Sequence, residues 1–171
     1  MAVYTANQTD EGIPQVAGKY LTFMLDKETY GLEILRVQEI IGLQPITRVP
    51  KVAESIRGVI NLRGKVIPVL DLSKRFGLEA IEDTPRTCII VTELLLEDEI
   101  FTMGLLVDDV SEVVDIGADA IEPPPNLGAG VETNLLRGMG KIGERVVMLL
   151  DVSRILCIGT VSGLLEKVEA A

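Results

Sequence analysis

IRGVINLRGKVIPVLD, residues 56–71, is the stretch that decides the fold. Two apolar runs, 59–62 and 65–70, flank the dipeptide Arg63-Gly64, which predicts two strands joined by a tight turn. The second run is apolar almost without interruption, so we expect both faces of that strand to be covered. The stretch therefore predicts a β-hairpin that is part of a larger β structure.

Four residues of this stretch have special backbone properties. Gly58 and Gly64 permit tight backbone turns around the first strand and so present Arg63 at a corner. Pro68 lacks an N–H, and its strand is therefore expected to have an edge position or a bulge there. Asp71 follows the second strand directly, as Asp151 follows the strand predicted at 145–150, and at both places the Asp or the Ser two residues later can cap a short helix.

The chain from residue 19 onward shows the same sequence pattern. Short runs rich in Val, Ile and Leu alternate with Gly, Pro, Asp and Asn at about 8–12-residue spacing, which is typical of a barrel or sandwich. The fold class is therefore mainly β. The remaining predicted strands are 19–25, 29–32, 37–42, 87–95, 100–107, 110–116, 136–141 and 145–150.

An internal repeat relates the two halves of the chain. The matched positions keep their order, and they are Gly31, Val37, Glu39, Arg57, Gly58 and Asp71 in the first half and Gly104, Val110, Glu112, Arg137, Gly138 and Asp151 in the second. We expect two related β units of about five strands each. They diverge where the second half carries Ile142-Gly143-Glu144 in place of Leu62-Arg63-Gly64, and function is expected at this divergence.

The sequence predicts three regions. Residues 1–17 are polar and without periodicity, so we expect a flexible arm. Residues 18–158 form one domain of two subdomains, with an acidic linker at 78–86 and a Pro-rich extended loop at 121–128. Residues 159–171 carry apolar side chains at helical spacing and predict a C-terminal helix or tail.

Composition excludes several classes of function. With 16 basic and 26 acidic side chains the net charge is −10, which argues against nucleic acid as a partner. There is no histidine, so imidazole catalysis and histidine metal ligation are excluded. The apolar runs are too short for direct membrane insertion. Cys88 and Cys157 stand in apolar runs as expected of buried free thiols, and with no secretory signal at the start they indicate a cytoplasmic protein.

Catalytic and phosphate-binding motifs fail on spacing or context. Five residues separate Gly58 from Gly64 where a phosphate loop requires four, and Val66 replaces its hydroxyl residue. Acidic pairs such as Asp108-Asp109 lie in predicted turns and lack calcium-loop spacing, so we expect solvated charges there. We expect no cofactor, no metal and no catalytic residues.

Glu39 is the one mismatch in an otherwise regular strand. Alternation places Val37, Glu39 and Ile41 on one side of the strand, so a carboxylate lies among aliphatic side chains. Either this face contacts a partner or Glu39 pairs with a nearby cation.

Residues 30–40, YGLEILRVQEI, and residues 56–72 together resemble the CheW family of bacterial chemotaxis coupling proteins, a resemblance that runs from about residue 19 to residue 156. It implies two intertwined five-stranded SH3-like β-barrels with short helices. It also implies a free-standing scaffold without catalytic activity, which couples the cytoplasmic signalling tip of chemoreceptors to the regulatory domain of the histidine kinase CheA. The protein would then be cytoplasmic and associated with membrane receptor arrays through its partners.

The resemblance also assigns roles to residues. Val37, Glu39 and Arg63 match positions implicated in receptor and kinase coupling, whereas Gly58 and Gly64 match positions that shape the loop carrying the arginine. Two alternatives stay open: an adaptor of a related non-chemotaxis sensory kinase pathway, and a small-ligand-binding β-barrel or metal-dependent enzyme that uses the acidic turns.

Overall fold

The computed structural model describes residues 18–52, 54–78, 83–96, 98–124 and 135–156. The arm predicted at 1–17 and the C-terminal helix predicted at 159–171 lie outside these residues. All ten predicted strands form, with ends within three residues of those expected, and one further short strand is present. The strands are β1 (Gly18–Leu25), β2 (Glu28–Glu33), β3 (Val37–Gly42), β4 (Ile56–Leu62), β5 (Lys65–Asp71), β6 (Cys88–Leu96), β7 (Glu99–Val107), β8 (Asp109–Ile116), β9 (Ile121–Glu122), β10 (Leu136–Ile142) and β11 (Arg145–Leu150).

One short helix follows the second hairpin of each half: α1 (Leu72–Arg75) in the first half and α2 (Val152–Leu156) in the second. The Asp71 carboxylate accepts hydrogen bonds from the backbone N–H groups of Ser73 and Lys74, at 3.1 and 3.4 Å. At α2, Asp151 accepts from the N–H of Arg154 at 3.3 Å. The predicted caps are therefore confirmed.

The strands form two sheets that exchange strands between the halves of the chain. The five-stranded sheet, the first barrel, has the order β3-β6-β7-β5-β4, and the six-stranded sheet, the second barrel, has the order β8-β1-β2-β11-β10-β9. The first barrel thus takes β6 and β7 from the second half, and the second barrel takes β1 and β2 from the first. This exchange is the intertwining that the family resemblance implies.

The repeat is visible in the register of both sheets. Gly31 in β2 lies opposite Leu149 in a parallel pair, and the matching Gly104 in β7 lies opposite Val69 in the other parallel pair. Leu149 and Val69 are separated by 80 positions, the offset found for the second part of the repeat. The repeat therefore describes a structural pseudo-symmetry that maps one barrel onto the other.

Three hydrophobic cores follow from this arrangement. The first barrel encloses one around Val69, Ile89 and Val91. The second encloses one around Tyr20 and Val147. The largest core, which includes Phe23, Leu32, Leu70, Leu105 and Leu150, takes side chains from strands of both barrels. Because this core is shared, the two barrels form a single packing unit.

The second barrel contains one strand more than the first, because β9 adds a sixth strand to it. Its residues fall in the predicted Pro-rich loop, where a two-residue strand is too short to leave a sequence pattern. β9 pairs with β10 through Glu122 opposite Met139. In the first barrel the equivalent contact is a single bridge between Thr47 and Val59.

Pro68 lies in an inner strand, so the edge position expected for it is wrong. β5 runs between β4 and β7, but its parallel pairing with β7 begins only at Val69. Val59, opposite Pro68, directs its backbone N–H and C=O away from β5 and toward Thr47. The absent N–H of Pro68 therefore leaves no gap in the ladder to β4.

Gly58 lies within β4 at a bulge, five residues before the turn, where the sequence placed it at a turn itself. The pairing with β5 shifts between Ile56 and Gly58. Its φ is +146°, and a Cβ atom built on it would lie 2.1 Å from the carbonyl oxygen of Thr47. Glycine is needed here because the segment before β4 passes directly against the strand.

Gly58→Ala is therefore expected to lower the free energy of unfolding by about 3 kcal/mol, since it adds backbone strain and a clash with backbone. Urea denaturation measures this as a lower midpoint with an unchanged slope. Gly42→Ala is the control, because a Cβ atom there meets nothing within 4 Å. The account fails if Gly58→Ala and Gly42→Ala have the same midpoint.

Candidate partner-binding site

The site lies at the seam of the first barrel, where its two edge strands approach each other. β3 and β4 are the outermost strands of the five-stranded sheet. Thr47 joins the seam through two backbone hydrogen bonds to Val59, both 2.8 Å long. Close to it, the side-chain amide of Gln44 donates to the backbone oxygen of Asn61 at 3.4 Å.

A bidentate ion pair crosses this seam at the turn between β4 and β5. Arg63 Nη1 and Nη2 donate to Oε2 and Oε1 of Glu39, each at 2.6 Å. The side chain of Arg63 remains 69% exposed, whereas that of Glu39 is 27% exposed. Of the two explanations for the Glu39 mismatch, a nearby cation is therefore present, and the pair still faces solvent.

The turn holds Arg63 in a fixed place. Leu62 pairs with Lys65, so the loop contains only Arg63 and Gly64, with φ of +52° and +87°. Positive φ at both positions is the signature of a type I′ hairpin turn. The side-chain oxygen of Asn61 accepts a hydrogen bond from the N–H of Gly64 at 2.8 Å, which braces the turn.

Both members of the pair are shifted toward their charged forms. The hydrogen bond from Arg63 lowers the pKa of Glu39 below its ordinary value, with desolvation opposing this shift. The same hydrogen bond raises the pKa of Arg63. The site therefore presents a fixed negative and a fixed positive charge side by side at neutral pH.

Val37 is separated from the ion pair by a bulge. The pairing of β3 with β6 shifts between Val37 and Glu39. Exposure alternates along the strand as expected, but Val37 packs against the shared core while Ile41 packs against the core of the first barrel. Val37, Glu39 and Ile41 therefore share the half-buried side that alternation predicts, although the bulge lies between Val37 and Glu39 and the two apolar residues contact different cores.

Among the residues that the structure describes, the second barrel has no equivalent ion pair. Glu112 matches Glu39, but the position that matches Arg63 is Gly143. The loop there has positive φ only at Gly143, so the turn also differs in type. The seam is instead bridged by Lys141, whose Nζ lies 2.7 Å from Oε2 of Glu122. The ion pair is thus a feature of one barrel rather than a requirement of the fold.

Residues 19–157 match the family model described as the CheW-like domain. The chain belongs to this family. A chemotaxis protein CheW from Klebsiella aerogenes is 36% identical over 141 residues, which cover 82% of each chain. One from Bacillus subtilis is 34% identical over 139 residues, covering 81% of this chain and 86% of that protein.

A solved structure carries the same CheW-like fold. The crystal structure of the scaffolding protein TtCheW from Thermoanaerobacter tengcongensis superimposes with a TM-score of 0.74 at 34% identity. The match covers 84% of this chain and 90% of that one. The two intertwined SH3-like barrels expected from the sequence are therefore confirmed.

Other candidate chemistry stays dispersed in this CheW-like domain. In the described part of the chain, no group of three acidic or thiol side chains is placed to hold a metal ion. Asp108 accepts a hydrogen bond from the backbone N–H of Asp26 at 2.9 Å, and Asp109 lies 3.7 Å from Arg86. Burial raises the pKa of the half-buried Cys88 thiol. Among the described helices none is long and apolar enough to cross a bilayer.

Sequence reasoning missed the residues that hold the arginine in place. Asn61 and Gln44 drew no attention as separate residues, although an asparagine shortly before a glycine in a predicted turn is a recognisable sign of side-chain bracing. Gln44 lies in the segment between β3 and β4, which shows no strand pattern. Its role depends on the closing of the barrel and could not have been read from local sequence.

Arg63→Ala is expected to raise the pKa of Glu39, because the lowering hydrogen bond is lost and desolvation, which raises the pKa, remains. A carbon-13 NMR titration of the Glu39 carboxyl measures this. A lowered folded-state pKa means that the pair stabilises the fold above the ordinary pKa and that this contribution is lost as pH falls through the lowered one. Arg145→Ala should leave the Glu39 titration unchanged, and equal titrations in all three proteins would contradict the pairing.

Asn61→Ala is expected to shift the pKa of Glu39 part of the way toward its value in Arg63→Ala, because an unbraced turn no longer holds the guanidinium on the carboxylate. The same NMR titration is the measurement. Lys141→Ala, at the matching position of the second barrel, is the control. A Glu39 titration that Asn61→Ala does not alter would show that the turn needs no bracing.

Proposed function

We propose that the seam carrying Glu39 and Arg63 is the surface through which this chemotaxis coupling adaptor contacts the signalling tip of chemoreceptors, and that the adaptor links this tip to the regulatory domain of the histidine kinase CheA. The observation that carries the proposal is the bidentate pair itself: a braced and exposed arginine on a carboxylate, present in only one of two pseudo-symmetric barrels.

The arginine has hydrogen-bonding capacity left for a partner. A guanidinium has five N–H donors, and Glu39 takes two of them. The exposed side chain of Arg63 can therefore bind a carboxylate or carbonyl oxygen of the partner while it stays paired. Such a contact reads geometry as well as charge, because both groups are planar and held in place.

Apolar surface close to Glu39 in the chain supports a mixed contact. Leu35 and Ile40 are 82% and 44% exposed. A helical hairpin at a receptor tip would bury such side chains, while Glu39 and Arg63 fix its orientation. Val37 supports the same role by anchoring this stretch of chain, because its side chain packs against the core shared by both barrels.

The contact does not need to be strong. Charged groups at an interface contribute more to specificity and register than to net affinity. Many weak contacts repeated across an assembly hold together through effective concentration. On this proposal the adaptor works in the cytoplasm, where its partners attach it to membrane receptor arrays.

No catalytic step is part of this proposal. The chain has no histidine, and the acidic pairs expected to be solvated are engaged at turns with backbone and basic groups. The relatives named above are chemotaxis proteins, so the comparisons give no support to an adaptor of another sensory pathway or to a ligand-binding barrel.

Arg63→Glu is expected to abolish receptor control of kinase activity without unfolding the protein, because it places like charges together at an exposed turn. The measurement is the phosphorylation rate of purified CheA with receptor signalling fragments, with the adaptor added or withheld. Urea denaturation in parallel shows that the variant is folded.

Arg145→Glu is the matched control, since it makes the same charge change just after the equivalent turn of the second barrel and should retain coupling. The double variant Glu39→Arg/Arg63→Glu restores the ion pair but reverses its direction. It should fold like the wild type and still fail to couple. A folded Arg63→Glu variant with full receptor control would refute the assignment.

A further inference from the structure

A second surface feature lies on the same barrel as the ion pair. The segment between β3 and β4, together with β4 and α1, lines an open cavity of about 930 Å³. Neither Glu39 nor Arg63 lines it. Its charged lining residues are Arg48, Lys51, Glu54, Arg57, Lys74 and Asp83.

The lining is basic in an acidic protein. Four basic and two acidic side chains line the cavity, in a chain whose net charge is −10. Arg57 is already neutralised, since its guanidinium lies 2.7 Å from Asp83 and 3.5 Å from Asp71. Within the described ranges, Arg48 and Lys74 form no ion pair. The one other acidic residue of the described lining, Glu54, compensates only part of this charge, so the lining stays net positive.

The wall of the cavity is anchored rather than loose. At one end Thr47 is fixed to Val59 by two backbone hydrogen bonds, and at the other the N–H of Asp71 donates to the oxygen of Ser55 at 2.7 Å. Val49 and Val52, between these points, pack against the shared core. A wall fixed in this way loses little conformational entropy when a ligand binds.

The second barrel does not repeat this charge pattern. Pro123 follows Glu122 in β9 as Arg48 follows Thr47, so the matching position has no cation. Arg154 matches Lys74, but its Nε lies 3.5 Å from Asp151 and is thereby paired. As with the Glu39–Arg63 pair, the feature belongs to one barrel and is not required by the fold.

We propose that this cavity is a docking site for an acidic, carboxylate-rich segment of a partner protein. The cavity is larger than a single phosphate needs, and apolar side chains such as Val49 and Val52 stand among the cations. A peptide segment uses both kinds of lining. The strongly acidic remainder of the molecule repels a long polyanion such as nucleic acid, but a short segment need touch only the cavity.

This proposal goes beyond the receptor contact proposed above, and its test does not depend on the kinase assay. Isotope-labelled full-length protein is titrated with a hexaglutamate peptide and followed by NMR. The backbone amide signals of Arg48, Lys51 and Lys74 should shift together, and the shifts should weaken as salt is raised. The double variant Arg48→Glu/Lys74→Glu should bind about tenfold more weakly, since two attractive contacts become repulsive.

Arg145→Glu is again the control, and it should change hexaglutamate affinity by less than about twofold, because Arg145 is exposed on the other barrel. Equal weakening by Arg145→Glu and by the double variant would overturn the site. So would tighter binding of inorganic phosphate or of a single-stranded DNA oligonucleotide to the same amides. Urea denaturation of the double variant separates lost binding from lost folding.

Discussion

The exchange of strands between the two halves of the chain is the constraint on which the rest of the structure depends. Each barrel needs two strands from the other half, and a parallel pair joins the halves in each sheet. Parallel strands cannot be joined by a short turn, so these pairs form only when distant parts of the chain meet. β3, which carries Glu39, is held by β6 from the second half. The site therefore exists only in the completed, two-barrel fold.

The exchange leaves each barrel with one seam, and the seams are closed in different ways. Unpaired strand edges invite pairing with other chains, so they must be covered. The second barrel covers its seam with β9 and the pair between Lys141 and Glu122. In the first barrel a backbone bridge at Thr47 covers one part of the seam, and the ion pair between Arg63 of the β4–β5 turn and Glu39 closes another. Because the fold tolerates both solutions, one seam is available for recognition.

Local pattern predicted much of the fold but not its connections. The ten strands, the two capped helices and the repeat follow from apolar runs, turn residues and matched spacings, all of which are short-range signals. Strand order, the exchange of strands and β9 do not follow from short-range signals, since they depend on which distant segments pair. The bulge between Val37 and Glu39 is another feature that local pattern did not predict, because a bulge is set by the partner strand and leaves no local signature.

The candidate site shows the same division. Sequence singled out Glu39 as a carboxylate among aliphatic residues and Arg63 as a side chain at a corner, yet it left open whether Glu39 has a cation. The two residues are 24 positions apart, Glu39 on β3 and Arg63 in the turn between β4 and β5. Only the closing of the barrel, which brings the outermost strands of the sheet together, makes them neighbours.

The conformation of Arg63 indicates why this turn carries an arginine. A residue at φ +52° is in the left-handed region, which glycine adopts at no steric cost and which other side chains adopt with strain. The matching turn of the second barrel uses Gly143 and so avoids that strain. An exposed ion pair contributes little to stability, so it does not explain a strained arginine in the first barrel. Positive φ also occurs at turn residues such as Lys27, so strain alone does not mark a site, but at the exposed corner that carries the ion pair it agrees with the proposed partner contact. On the proposed function, this geometry holds the guanidinium on Glu39 so that a partner would meet it in a single orientation.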